Sequence, residues 1–221
     1  MNADDLLQVL GAELAAEEHD NQVVRAVEEG RATLGVVAAL AAEETRTVAS
    51  DRRSFLLLAA RSADPDAVRF FAGLAQGECT ALDTLPALAR AAGLDDAGVQ
   101  AYRVQPGCQA YPAYTAWLAV NGDPVDVSVA VLANFAAWGG YCATMARALR
   151  DHYGFDDEAC AFFDLFATSK DDAGASPLEA HALRAVDARL GAGDSLHGGR
   201  EYARMLQGYE LMFWDCLAAA L

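Results

Sequence analysis

The stretch 125–153 constrains the fold more than any other part of the chain, because its residues are apolar almost all round through Cys142. A helix with a single apolar stripe lies on a surface, whereas one that is apolar on every side has to be enclosed. The rest of the chain must therefore supply helices that cover it.

Helical periodicity runs from end to end, and no run of alternating β-branched residues bounded by hairpin turns interrupts it. The pattern predicts a helix over about 3–18 and a short one over 21–29, with Gly30 as its C-cap. Thr33 starts a third helix that ends near Ser50 or continues through Phe55 to Arg61. Asp64-Pro65-Asp66 opens a long helix to Ala92, with Pro86 as a kink site. A short helix and a turn follow over 93–106, then a helix over 110–120 closed by Asn121-Gly122. Asp123-Pro124 starts the enclosed helix, and helices over 156–168, 177–190 and 199–220 complete the chain. The expected class is all-α, and 221 residues suit one domain spanning 1–221.

Charge narrows the function. The net charge is −16, and Lys170 is the sole lysine, so no basic patch suited to phosphate backbones assembles easily and nucleic acid is not an expected partner. The first ten residues carry Asp4 and Asp5 and no basic region ahead of an apolar one, which argues against a secretory signal. No window is read as the ~18 uncharged apolar residues of a membrane span. Cys79, Cys108, Cys142, Cys160 and Cys216 are odd in number and set among apolar residues, the usage of a reduced cytoplasm. A cytoplasmic protein without membrane partners is the expectation.

Among candidate chemical groups, Glu210 stands out because Leu206, Phe213, Trp214 and Leu217 share its side of the last helix. An inward carboxylate tends toward a raised pKa, the condition for a general acid near neutral pH. The alternative is a structural acid that accepts from a Tyr or pairs with an Arg. Glu44 has Val37, Leu40, Ala41 and Val48 on its face, although Glu43, Glu44 and Arg46 also fit a solvated surface cluster. Asn134, Trp138 and Tyr141 fall at i, i+4 and i+7, a stripe that suits a pocket lining or plain core packing. The Gly139-Gly140 pair costs ~2 kcal/mol relative to two alanines, which close packing or a ligand would offset. Tyr111 and Tyr114 add phenols that stack and donate hydrogen bonds.

Metal chemistry has little support, since His19, His152, His181 and His197 are far apart and form no E-x-x-H or H-x-x-x-H pair. No serine nucleophile elbow, phosphate loop or dinucleotide fingerprint is present. Any catalysis is expected to be cofactor-free acid–base or thiol chemistry.

Taken in order, these motifs resemble the TenA/thiaminase II family of the haem oxygenase-like superfamily, which also contains the cofactor-less oxidase PqqC. His19-Asp20 followed by Gly30 is similar to that family's H-P…G-T-L segment, and ungapped counting puts Glu44 where the family has its pyrimidine-binding Asp. Tyr114-Thr-Ala-Trp117-Leu resembles Y-T-x-x-L, and Tyr209-Glu210-Leu-Met-Phe213-Trp214 resembles the terminal Y-E-x-x-F-W. The enclosed helix resembles P-C-x-W-x-Y-x-E through Trp138 and Tyr141. The resemblance implies a haem oxygenase-like multi-helix bundle, Glu210 as catalytic acid, and a substrate site built from Glu44, Tyr114, Trp138, Tyr141, Phe166 and Phe213. It also implies a homodimer or homotetramer.

The departures are specific. Aligning Trp138 places Ala136 where the family has its nucleophilic Cys, Cys142 lies six residues on, and Phe166 replaces a pocket Tyr. Two functions follow: an aminopyrimidine salvage hydrolase working without the thiol, or a non-catalytic binder of a heteroaromatic or hydrophobic small molecule. A PqqC-like oxidase, which would need Arg and His groups around an acidic substrate, is a third.

Overall fold

The computed structural model describes residues 1–17, 20–167 and 176–221, apart from the side chains of Ala16, Glu17 and Ala136. His19 and most of the loop expected over 169–176 lie outside the described residues. Within them the chain forms α1 (Ala3–Glu17), α2 (Gln22–Glu28), α3 (Leu34–Arg61), α4 (Pro65–Ala91) and α5 (Asp96–Ala101). It continues as α6 (Pro106–Asn121), α7 (Pro124–Tyr153), α8 (Asp157–Phe166), α9 (Pro177–Gly191) and α10 (His197–Ala218).

Local chemistry accounts for most of the boundaries. Asp64 and Asp123 each accept two backbone N–H groups at the start of α4 and α7, with Pro in the first turn, where it leaves no helical hydrogen bond unmade. Asn21, Asp95 and Asp156 cap α2, α5 and α8, and Ser176 with Glu179 forms a reciprocal capping box on α9. The third helix does not stop near Ser50 but runs unbroken to Arg61, since nothing between them removes a donor or reverses the chain.

Two helix starts differ from the sequence expectation by two residues or more. Helix α6 begins at Pro106, four residues early, and seats Gly107 against α10, where an added Cβ would come within 2.9 Å of the Cys216 Cβ. Helix α10 begins at His197 after Leu196, a buried residue with φ of 48° whose N–H is held by the Asp194 carboxylate at 2.9 Å. That left-handed conformation costs on the order of 1 kcal/mol for a non-glycine residue, and burial of the leucine offsets it.

Helix α7 packs against α10, α8, α9 and α2, while α3 packs against α4 and α6. By length and mean hydropathy α7 is long and apolar enough to cross a membrane, contrary to the expectation that no window reaches that composition. Neighbouring helices bury 47% of that apolar stretch. Val129 and Ala130 enter one core cluster, Val127 and Val131 a second, and Cys142, Met145 and Leu149 a third. Gly140 is exposed, and a Cβ there would meet nothing within 4 Å, so close packing is not what offsets that glycine.

Candidate functional site

Helices α3, α4, α6, α7, α8 and α10 surround a cavity of about 90 Å³. Helix α3 brings Glu44, Thr47 and Asp51 to it from one face, at i, i+3 and i+7, with Val48 and Phe55 on the same stripe. Helix α4 adds Glu78, and α6 adds Tyr111, Thr115 and Leu118. Helix α7 contributes Val127, Val131, Asn134, Phe135 and Trp138, α8 contributes Phe162 and Phe166, and α10 contributes Leu206, Glu210, Phe213 and Trp214.

Glu210 is 8% exposed, and both carboxylate oxygens are held. The Asn134 side-chain amide donates to Oε2, and Trp214 Nε1 donates to Oε1 at 3.3 Å. Those two donors fix the carboxylate beside an aromatic wall in which Trp138 lies 6.1 Å from Trp214 and 5.9 Å from Phe166, centroid to centroid. Such edge and tilted contacts stiffen the wall that a planar ligand would meet.

The opposite wall is acidic and apolar at once. Glu44 is 4% exposed, and burial pushes its carboxyl well above the usual range, with the charges of Asp51, Glu210 and Glu43 adding to the effect. Burial pushes Asp51 up to about 8, opposed by a hydrogen bond from Thr115. Glu78 is raised by burial and by the neighbouring Asp51, Glu44 and Cys79. The phenol of Tyr111, which faces all of these acids, is raised by burial first and by their charges second. No Lys, Arg or His is among the described residues that line the cavity.

Adjacent Glu43 is buried as well but serves the backbone. It accepts the N–H of Gln105 and the side-chain amide of Gln109, each at 2.6 Å, and so ties the start of α6 to α3. The surface cluster weighed for Glu43, Glu44 and Arg46 is therefore not formed; only Arg46 is exposed.

The model of the TENA/THI-4/PQQC family matches residues 15–186. The chain belongs to that family. Solved structures agree on the fold. A TenA homolog from Pseudomonas syringae pv. tomato str. DC3000 superposes with a TM-score of 0.79 at 12% identity, covering 98% of this chain and 93% of its own. A TenA homologue from P. horikoshii OT3 gives 0.74 at 14% identity, with 100% of each chain covered. A domain of unknown function with a heme oxygenase-like fold from Shewanella denitrificans OS217 gives 0.72 at 15% identity, covering 100% and 92%. The fold is haem oxygenase-like. No curated protein matches the sequence significantly.

Set against the TENA/THI-4/PQQC pattern, Glu44, Trp138, Phe166, Glu210 and Phe213 meet in the one cavity. Tyr114 and Tyr141 do not line it. Tyr114 sits one step round α6 from Tyr111, stacked on Trp117 and in tilted contact with Tyr209, with centroids 5.7 and 4.9 Å away, so Tyr111 is the phenol on the cavity. Tyr141 lies beyond the cavity and makes an edge contact with Trp214 at 5.7 Å. The side chain of Ala136 lies outside the described residues. Cys142 is in the core, its thiol raised by burial and by the charges of Glu44 and Glu210, and no cysteine is among the described lining residues.

Sequence reasoning missed Thr47, Asp51, Glu78 and Thr115 as parts of one site, and it noted Tyr111 but gave the substrate role to Tyr114. Asp51 was accessible by the kind of apolar spacing that singled out Glu44, with Val48, Phe55 and Leu58 on its face, whereas Thr47 has mostly polar neighbours. Glu78 had that signal too, with Phe71, Leu74, Ala75, Ala81, Leu82 and Leu85 on its face, although only the packing of α4 against α3 brings it to the acids of α3. Among the described residues no group of three or more His, Cys, Asp or Glu is arranged to hold a metal ion.

Proposed function

We propose that this protein is a hydrolase of the thiamine-precursor salvage type, exchanging the exocyclic amine of an aminopyrimidine for a hydroxyl. The observation that supports it is the convergence of Glu44 and Glu210, from two different helices, on one cavity with an aromatic wall. Glu44 anchors the ring through its amino group and ring nitrogen. Trp138, Phe166 and Phe213 confine the ring plane. Glu210, held by Asn134 and Trp214, gives a proton to the departing amine and recovers one from the water that attacks the carbon left behind. One water is consumed, and ammonia and a hydroxymethyl product are formed.

The test is incubation with thiamine and with aminomethyl- and formylaminomethyl-pyrimidine, following hydroxymethyl-pyrimidine release by chromatography, beside Glu210→Gln. Release that disappears in the variant supports the hydrolase. No release from any substrate by the folded protein removes that reading. A second reading, a binding protein without turnover, is favoured by the lack of a cysteine among the described lining residues. PqqC-like oxidation of an acidic substrate is disfavoured, because the described lining holds four acids, Glu44, Asp51, Glu78 and Glu210, and no base.

A further inference from the structure

We propose that the Asp51 end of the cavity is a subsite for a protonated primary amine, separate from the amine on which Glu210 would act. The ligand then carries an ammonium group at one end and an apolar or aromatic body that fills the remainder. This rests on the cavity being a ligand site, as in the salvage reading, but not on hydrolysis.

Two unsatisfied atoms point to it. Thr47 Oγ1 and Asp51 Oδ1 are buried without a hydrogen-bond partner, on residues that are 5% and 6% exposed and face the cavity. Each such atom costs about 1–3 kcal/mol when left unpaired. A folded chain that keeps two of them side by side, one turn apart on α3, has acceptors waiting for donors. A primary ammonium supplies three donors and one positive charge. Asp51 Oδ1 and Thr47 Oγ1 would take two, and Glu78 on the facing helix is placed for the third.

Charge gives the same answer. Asp51, Glu78 and Glu44 share this wall, and none of the described lining residues offers a countercharge. Burying a carboxylate without a countercharge costs several kcal/mol, so an empty cavity holds these groups as acids. Burial raising Asp51 to about 8 is what that predicts, and an arriving ammonium would expel the proton. A metal ion is the other cation to weigh, but among the described residues no three ligating side chains are grouped to hold one. Position separates this subsite from the catalytic one. Asp51 lies two turns, ~10 Å, along α3 from Glu44. Glu44 is the acid of this wall whose carboxyl is raised by the charge of Glu210.

The experiment is isothermal titration calorimetry of the full chain with 2-phenylethylamine, its neutral counterpart 2-phenylethanol, and 3-phenylpropionate, near pH 7 in two buffers of different ionisation heat. The expected result is amine binding at least ten-fold tighter than alcohol, no measurable carboxylate binding, and proton release on amine binding. Asp51→Asn should weaken the amine ten-fold or more while the alcohol changes less than two-fold, and Thr47→Val should weaken the amine several-fold. Thermal melts of both variants check folding, and either folded variant suffices to decide. Equal affinity for amine and alcohol, no amine binding, or unchanged amine affinity in the folded Asp51→Asn protein overturns the subsite. Pyrimidine hydrolysis without amine selectivity would remove this proposal alone; amine selectivity without hydrolysis would remove the salvage reaction alone.

Discussion

The two acidic ends of the cavity are built on opposite principles. At one, Glu210 has a donor for each carboxylate oxygen, Asn134 from α7 and Trp214 from its own helix, and the group is held in a fixed orientation. At the other, Asp51 and Thr47 keep atoms without partners, and Glu78 adds a carboxyl for which no described lining residue is a countercharge. A carboxylate fully satisfied by the protein is preorganised to act on something else. One left unsatisfied is waiting for a ligand to complete it. Glu43 shows that α3 is able to satisfy a buried acid with protein donors, since it does so one residue away from Glu44.

The sharpest way to break this contrast is at Glu210. Replacing it with Gln keeps the shape and the contact with Asn134 but removes the proton, and a general acid is worth about 10²–10⁴ in rate. Turnover of the pyrimidine substrates should fall by that factor with KM changed little. A fall in affinity with unchanged kcat would mean that Glu210 only binds, and the distinction between the two ends would collapse.

Stability against pH probes the unsatisfied end. The Asp51 carboxyl is raised from 3.8 to about 8 by burial, so the folded chain binds that proton more tightly than the unfolded chain does. Its protonated form costs nothing below pH 4. Stability is lost as pH rises from about 4 through 8, by as much as roughly 5 kcal/mol in the limit of an unrelaxed site. Glu44 and Glu78 shift in the same direction and steepen the slope. Asp51→Asn should therefore raise the thermal midpoint at pH 9, leave it nearly unchanged at pH 4, and flatten the profile between. Parallel profiles for the two proteins would mean that Asp51 finds a partner in solution.

These differences also mark what was legible in the sequence. The class, the long apolar helix α7 and the Asp-Pro starts of α4 and α7 follow from local rules of periodicity and capping, although α7 is only partly enclosed. Glu44 and Glu210 were legible because apolar residues surround each at helical spacing. Asp51 had a similar setting in Val48, Phe55 and Leu58, whereas Thr47, among polar neighbours, reads as solvated until a second helix covers it. Glu78 carries the same apolar spacing, but its meeting with the acids of α3, like the donor role of Asn134 toward Glu210, depends on contacts between α4 and α3, and between α7 and α10, that no local pattern encodes.

Asn134→Leu tests the satisfied end from the other side of the hydrogen bond. It removes the donor to Oε2 without adding charge, and a bond to a charged group contributes about 1.5–3 kcal/mol. Turnover should drop roughly ten- to hundred-fold, less than for Glu210→Gln, because Trp214 still holds Oε1. An effect as large as that of Glu210→Gln would make Asn134 a direct participant in place of a positioning residue.

The smallest effect separates two tyrosines on one helix. Motif order assigns the substrate phenol to Tyr114, but the path of α6 from Pro106 turns Tyr111 to the cavity and leaves Tyr114 stacked on Trp117 and tilted against Tyr209. The Tyr111 hydroxyl reaches toward Asn134 Oδ1 at 3.5 Å, so it touches the residue that holds Glu210. Tyr111→Phe should cost a few-fold in turnover by loosening that amide. Tyr114→Phe keeps the ring stack and removes only a hydroxyl away from the cavity, so turnover should stay within about two-fold and stability within about 0.5 kcal/mol. The reverse order of effects, measured as kcat and KM for both variants, would rotate α6 by one position and bring the motif assignment back.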